Sequence, residues 1–142
     1  MGKFIYEKSV SSLGYLIIPF IYGKADGNPI YSYALLSEEG HKNHLHKAEN
    51  PARLYSSNLE EIILIAKKNL DECVKKISKN DYFQQRYTYQ KNLIILHQET
   101  GKCFYDHYPP NELRNIAAPK LFTNPSDCLN WVKQGLDQNR VT

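Results

Sequence analysis

The sequence predicts an α+β fold: an antiparallel sheet with helices packed on one face, built from a duplicated hairpin–loop–helix unit. Three features lead there. The first third alternates short apolar runs with Gly-containing turns, and a capped stretch of helical periodicity opens at Ser57. Hairpin, loop and helix then recur in the same order in the second half.

Residues 3–10 form a short strand candidate and 14–22 a stronger one. The cluster Lys24-Ala25-Asp26-Gly27-Asn28-Pro29 is a turn, because Asp-Gly tolerates positive φ. Residues 30–36 resume as a strand, with Ile30, Ser32 and Ala34 on one face and Tyr31, Tyr33 and Leu35 on the other. Ser37-Glu38-Glu39-Gly40 is a second turn, leading to a short strand over 43–47.

After the Asn50-Pro51 loop, Ser57 and Glu60 form a capping-box pair. Leu59, Ile62, Ile63, Ala66, Leu70, Cys73, Val74 and Ile77 then fall on one helical stripe. Its opposite face places Lys67 with Asp71, Lys68 with Glu72, Asp71 with Lys75 and Glu72 with Lys76 at i,i+4, a salt-bridged solvated face. Strands return at 86–89, 93–97 and 103–108, with a turn at Glu99-Thr100-Gly101-Lys102 and a stop at Pro109-Pro110. A helical turn is expected over 111–116. The last helix takes Asn124 as N-cap and Pro125 as its first residue, with Cys128, Leu129, Val132 and Leu136 facing inward.

The chain of 142 residues is expected to form one domain, 1–142, with pseudo-repeats at about 14–78 and 82–138. Arg53-Leu54-Tyr55-Ser56-Ser57 leads into the first long helix and Lys120-Leu121-Phe122-Thr123-Asn124 into the last. A turn ending in glycine, Gly40 or Gly101, precedes each. Two such copies are expected to pair into one antiparallel sheet, leaving a tyrosine-bearing polar face outward.

A net charge of +3, spread along the chain, is weak for a dedicated duplex-DNA binder. Cys73, Cys103 and Cys128 are odd in number and lack a CxxC pair, which points to a reducing, cytoplasmic setting rather than a disulfide or zinc framework. Cys73 and Cys128 are read as small hydrophobes on their helix stripes. The apolar run 13–22 resembles a signal-peptide core, but Glu7 and Pro19 argue against export, and the run is too short to span a bilayer. Tyr6 stands where myristoylation needs Ser or Thr. No membrane partner is expected.

The chemical candidates are few. His44 and His46 would share a strand face beside His41, yet no carboxylate or thiolate completes a metal set. Cys103 and His107 share a face of one strand with Asp106 between them, but at over ~13 Å they are too far apart to form a nucleophile pair. His97, flanking the same turn, is the alternative partner for Cys103. No phosphate loop or nucleophile elbow occurs. No catalytic residue, metal or cofactor is therefore expected.

Eleven tyrosines stand beside five phenylalanines and one tryptophan. Arg86, Tyr87, Tyr89 and Lys91 interleave rings with cations, forming the candidate binding surface. The expected role is a non-enzymatic macromolecule-binding protein, an adaptor, inhibitor, immunity-type or regulatory protein whose partner is another protein. The alternative is a single-stranded nucleic-acid binder using the same strand surface. A small Cys- or His-dependent enzyme is the third reading.

Overall fold

Among the described residues six strands form two separate three-stranded antiparallel sheets, each strand pairing with its sequence neighbour inside its own sheet. The computed structural model describes residues 3–73 and 82–138. The chain divides into an N-terminal unit, Lys3–Gln84, and a C-terminal unit that begins at Gln85. The α+β class is thus as predicted, whereas the single continuous sheet is not.

In the N-terminal unit, β1 (Val10–Ser12), β2 (Tyr15–Ala25) and β3 (Asn28–Ser37) form a meander. Leu13-Gly14 joins the first pair and Asp26-Gly27 the second, all four residues at positive φ, as hairpin loops of two residues require. The expected strand over 3–10 is interrupted by a 3-10 turn, Tyr6–Lys8, between a Phe4–Phe20 bridge and the start of β1. Pro19 sits inside the central strand without breaking it. Its partner Tyr33 uses its carbonyl outward, so the proline nitrogen faces the other edge, beyond the end of β1.

Helix α1 (Leu59–Cys73) lies on this sheet. Ile62, Ala66 and Leu70 are fully buried against Tyr15, Ile17, Tyr33 and Leu35, so the Tyr31/Tyr33/Leu35 face turns to the helix, not outward. The opposite face carries Leu16, Ile18, Phe20, Ala34 and Leu36, all buried, not the polar tyrosine surface expected there. The helix cap is Asn58, whose Oδ1 accepts from the Glu61 amide at 2.9 Å; Ser57 is one residue too early. Ser56 Oγ accepts from the Asn58 amide and shapes the approach. Cys73 is exposed rather than part of the buried stripe. No ion pair joins Lys67 to Asp71 or Lys68 to Glu72; Val74, Lys75, Lys76 and Ile77 lie outside the described residues.

In the C-terminal unit, β4 (Arg86–Tyr89), β5 (Asn92–Glu99) and β6 (Lys102–Tyr108) repeat the meander, and α2 (Pro125–Asp137) covers one face. Cys128, Val132 and Leu136 are buried against Ile94, Leu96 and Tyr105. Asn124 caps α2 through the Asp127 amide at 2.9 Å, as the sequence indicates. The stretch 111–116 is irregular, not helical.

Separate sheets follow from what covers their edges. Backbone from the loop after β3 pairs with that strand at Tyr31, Tyr33 and Leu35, and the segment before α2 pairs with β6 at Cys103 and His107. These segments occupy donors and acceptors that a further strand would need. The expected strand over 43–47 belongs to the first covering loop, which opens as a 3-10 turn at Gly40–Lys42. Gly40 therefore starts that turn, and the hairpin glycine comparable to Gly101 is Gly27. Among the described residues no helix is long and apolar enough to cross a membrane.

Candidate functional site

The sequence-predicted surface lies on the edge strand β4 and its turn. Tyr87 and Tyr89 stand opposite Ile94 and Asn92, so both rings lie on the α2 side of the sheet, while Arg86 points to the other side. Tyr87 is 40% exposed. Tyr89 is engaged within the unit: its hydroxyl donates to Asp137 at 2.6 Å, and Lys133 Nζ sits 5.2 Å from its ring centre. That hydrogen bond to a carboxylate, aided by desolvation, holds the Tyr89 phenol above its usual pKa. Lys91 occupies the hairpin turn with Gln90, both at positive φ. Arg86, Tyr87, Tyr89 and Lys91 thus share one hairpin, with Tyr87 as its exposed ring.

The turn is locked from beneath. Asn92 Nδ2 donates to the carbonyls of Tyr89 and Gln90, which orients its Oδ1 to accept from His107 Nε2 at 2.9 Å. The bond assigns the proton to that ring nitrogen, and burial lowers the His107 pKa, so the imidazole is neutral there.

A second surface, absent from the sequence reading, lies on the other flank of α2. Tyr105, Phe122 and Trp131 form a ring cluster with centroids 5.8 to 6.4 Å apart. Lys120 Nζ caps it, 4.9 Å from the Trp131 ring and 5.4 Å from Phe122. Leu121 is 61% exposed and Trp131 38%. Beside the cluster is an open groove of about 380 Å³ lined by Phe104, Tyr105, Ala117, Ala118, Lys120 and Leu121 among others. The available signal was the chain's one tryptophan, three residues after Cys128 and outside the Cys128/Val132/Leu136 line.

His97 and Asp106 meet across the β5–β6 pair at 2.9 Å, and Asn115 Nδ2 holds the other Asp106 oxygen at 2.8 Å. Such an acid–imidazole pair could orient a general base. Cys103, however, pairs opposite Gln98 and faces α2, whereas His97 and Asp106 lie on the other face. The thiol nearest Cys103 in charge terms, Cys128, is pushed up to about 11 by burial and then by Cys103 itself, which makes it a poor nucleophile. His41 and His46 meet edge to face with ring centres 5.0 Å apart, and His46 Nδ1 accepts from the Ser37 amide. His44 lies in a turn, so the shared strand face expected of His44 and His46 does not form. Among the described residues no group of three or more His, Cys, Asp or Glu side chains is placed to hold a metal ion. The chain matches no protein-family model, no curated protein and no solved structure.

Proposed function

We propose that the chain is a non-enzymatic protein-binding module of the adaptor, inhibitor, immunity-type or regulatory kind, acting through the α2–β6 flank of its C-terminal unit. The supporting observation is the exposure of Trp131 and Leu121 around a cation-capped ring cluster, beside an open groove. Large rings held rigid by neighbours lose little entropy on contact and supply most of the affinity of protein interfaces. The hairpin of Arg86, Tyr87, Tyr89 and Lys91 is a second contact surface in this reading, with Tyr87 as its anchor. Three free cysteines support a reducing, cytoplasmic setting.

The two units are read as copies of one hairpin–loop–helix element. Both helices are capped by asparagine, at Asn58 and Asn124, and the bridges Tyr31–Ser56 and Cys103–Phe122 precede them alike. The buried helix positions Ile62, Ala66 and Leu70 have counterparts 66 positions on (62 to 128, 66 to 132, 70 to 136).

Affinity capture with nuclease treatment tests the function, using the native chain beside a Leu121→Ser, Trp131→Ala double variant. A protein retained after nuclease and lost with the variant is the expected result. Loss of all signal on nuclease treatment would favour the single-stranded nucleic-acid reading, and equal capture by the variant would move the contact elsewhere.

A further inference from the structure

The covering segment of the C-terminal unit leaves one gap. On β6, Cys103 exchanges both main-chain hydrogen bonds with Phe122. His107 donates to Asn115 Oδ1 and accepts from the Ile116 amide. Main-chain groups alternate in direction along an antiparallel strand, so Tyr105, midway between them, also points its N–H and C=O away from β5. Neither group has a hydrogen-bond partner among the described residues. Between Ile116 and Phe122 the segment bows out, Ala118 N–H reaching only the Tyr105 hydroxyl at 2.9 Å, and the groove opens at this point.

The N-terminal unit fills the corresponding place with its own chain. Tyr33 stands two residues after the Tyr31–Ser56 bridge, as Tyr105 stands two after the Cys103–Phe122 bridge. The Tyr33 carbonyl accepts from the Asn50 amide at 2.9 Å. Asn50 holds its loop in shape, its Oδ1 accepting from the Leu54 amide and its Nδ2 donating to the Leu54 carbonyl. The carbonyl on one strand edge is thus supplied with a partner from an Asn-Pro loop, and its counterpart on the other edge lacks one among the described residues.

We infer that the groove beside Tyr105 accepts a loop of a protein partner that docks main chain to main chain, as the Asn50-Pro51 loop does at Tyr33. The entering loop places an amide N–H on the Tyr105 carbonyl, as Asn50 does on that of Tyr33, with small apolar side chains against Phe104 and Leu121. The volume lies near the lower end of the range for ligand pockets and admits a tight turn. This rests on the protein-binding reading above and names how the partner is held.

The probe is a blocked synthetic peptide of residues 48–55 of this chain, titrated into the full-length isotope-labelled protein and followed by amide NMR. The expected result is saturable shifts at Tyr105, Ala118 and Leu121 with a Kd of about 1 mM or tighter, the range for a short unconstrained loop. Methylating the peptide's Asn50 nitrogen removes the donor, so affinity should fall about tenfold. No saturable shift at Tyr105, shifts confined to Tyr33 and its neighbours, or equal binding by the methylated peptide would overturn the inference. Failure of the peptide alongside capture that still depends on Trp131 would discard the docking mode and leave the protein-binding reading standing. Capture indifferent to Trp131 and Leu121 would discard the reading instead.

Discussion

The Tyr89 hydroxyl donates to the Asp137 carboxylate at 2.6 Å, fastening the end of edge strand β4 to the last turn of α2. Gln90 Nε2 reaches the same oxygen at 2.7 Å. The bond exists only while the phenol keeps its proton, and it raises the Tyr89 pKa above 10.0. A raised folded-state pKa contributes stability that is fully present below the unfolded value and is lost as pH rises through the folded one. Tyr89→Phe should therefore flatten part of the loss of stability above pH 10, to which Tyr33, Tyr105 and the Cys128 thiol, all raised by burial, also contribute. Urea unfolding of both proteins across that range checks it, and identical slopes would show that the bond does not persist in solution.

The opposite limb belongs to His107. Burial depresses its pKa below 6.5, so its contribution is present above that value and lost as pH falls through the folded one. Asn92→Ala leaves the buried Nε2–H without an acceptor and frees two turn carbonyls, which should cost about 1–3 kcal/mol at neutral pH. An imidazole titration by NMR placing His107 at or above an ordinary value would contradict the burial argument.

Gln90 and Lys91 both adopt positive φ, 47° and 65°, in a two-residue hairpin without glycine or asparagine. Non-glycine residues there carry a cost of about 1 kcal/mol or more. Lys91→Gly should therefore stabilise the chain by about 0.5–1 kcal/mol despite the larger unfolded-state entropy of glycine. Thermal unfolding reads this directly, and a destabilised variant would assign Lys91 a packing role.

Ile62 and Ile63 separate two depths of the α1 stripe. Ile62 is fully buried, while Ile63 only flanks the core. Ile62→Ala should cost about 2–5 kcal/mol and Ile63→Ala distinctly less. Equal losses in denaturant unfolding would mean that the helix is rotated relative to its sheet.

These same residues mark how far the sequence could be read. The period of 3.6 placed Ile62, Ala66 and Leu70 on one stripe, but apolar residues at 62, 63 and 65 left its centre ambiguous by one position. A similar one-residue ambiguity chose Ser57 over Asn58, because three consecutive residues, Ser56, Ser57 and Asn58, all suit a helix cap. Asp26-Gly27 was legible because its turn chemistry is local. The separation into two sheets was not legible, since it depends on loop backbone closing the β3 and β6 edges, and irregular segments leave no periodic signal. The spacing of two between Tyr87 and Tyr89 puts both on one face, but alternation does not state which face a helix covers. Trp131 was missed for the same reason: its partners Lys120, Phe122 and Tyr105 come from separate elements.

Trp131 also reports on its own surface, because it is the chain's one tryptophan and its fluorescence is free of overlap from another indole. Its ring packs on Phe122 and Tyr105 and lies under Lys120, yet 38% of the residue stays exposed. A protein partner covering it would move the indole from water into an apolar contact, shifting emission to the blue. Trp131→Ala should then weaken binding by about 2 kcal/mol, roughly 30-fold, as truncating a central anchor does. Affinity would change little with salt, because apolar burial is weakly screened. A single-stranded nucleic acid stacking on the same ring would quench the emission instead. Its affinity would fall by ~0.7 log units per log of salt for each phosphate neutralised, with Lys120 the nearby cation. The titration needs the captured partner and a mixed-sequence oligonucleotide, each at low and physiological salt. A blue shift with a flat salt response supports the protein interface; salt-sensitive quenching by the oligonucleotide, lost in Trp131→Ala, would replace it with the nucleic-acid reading.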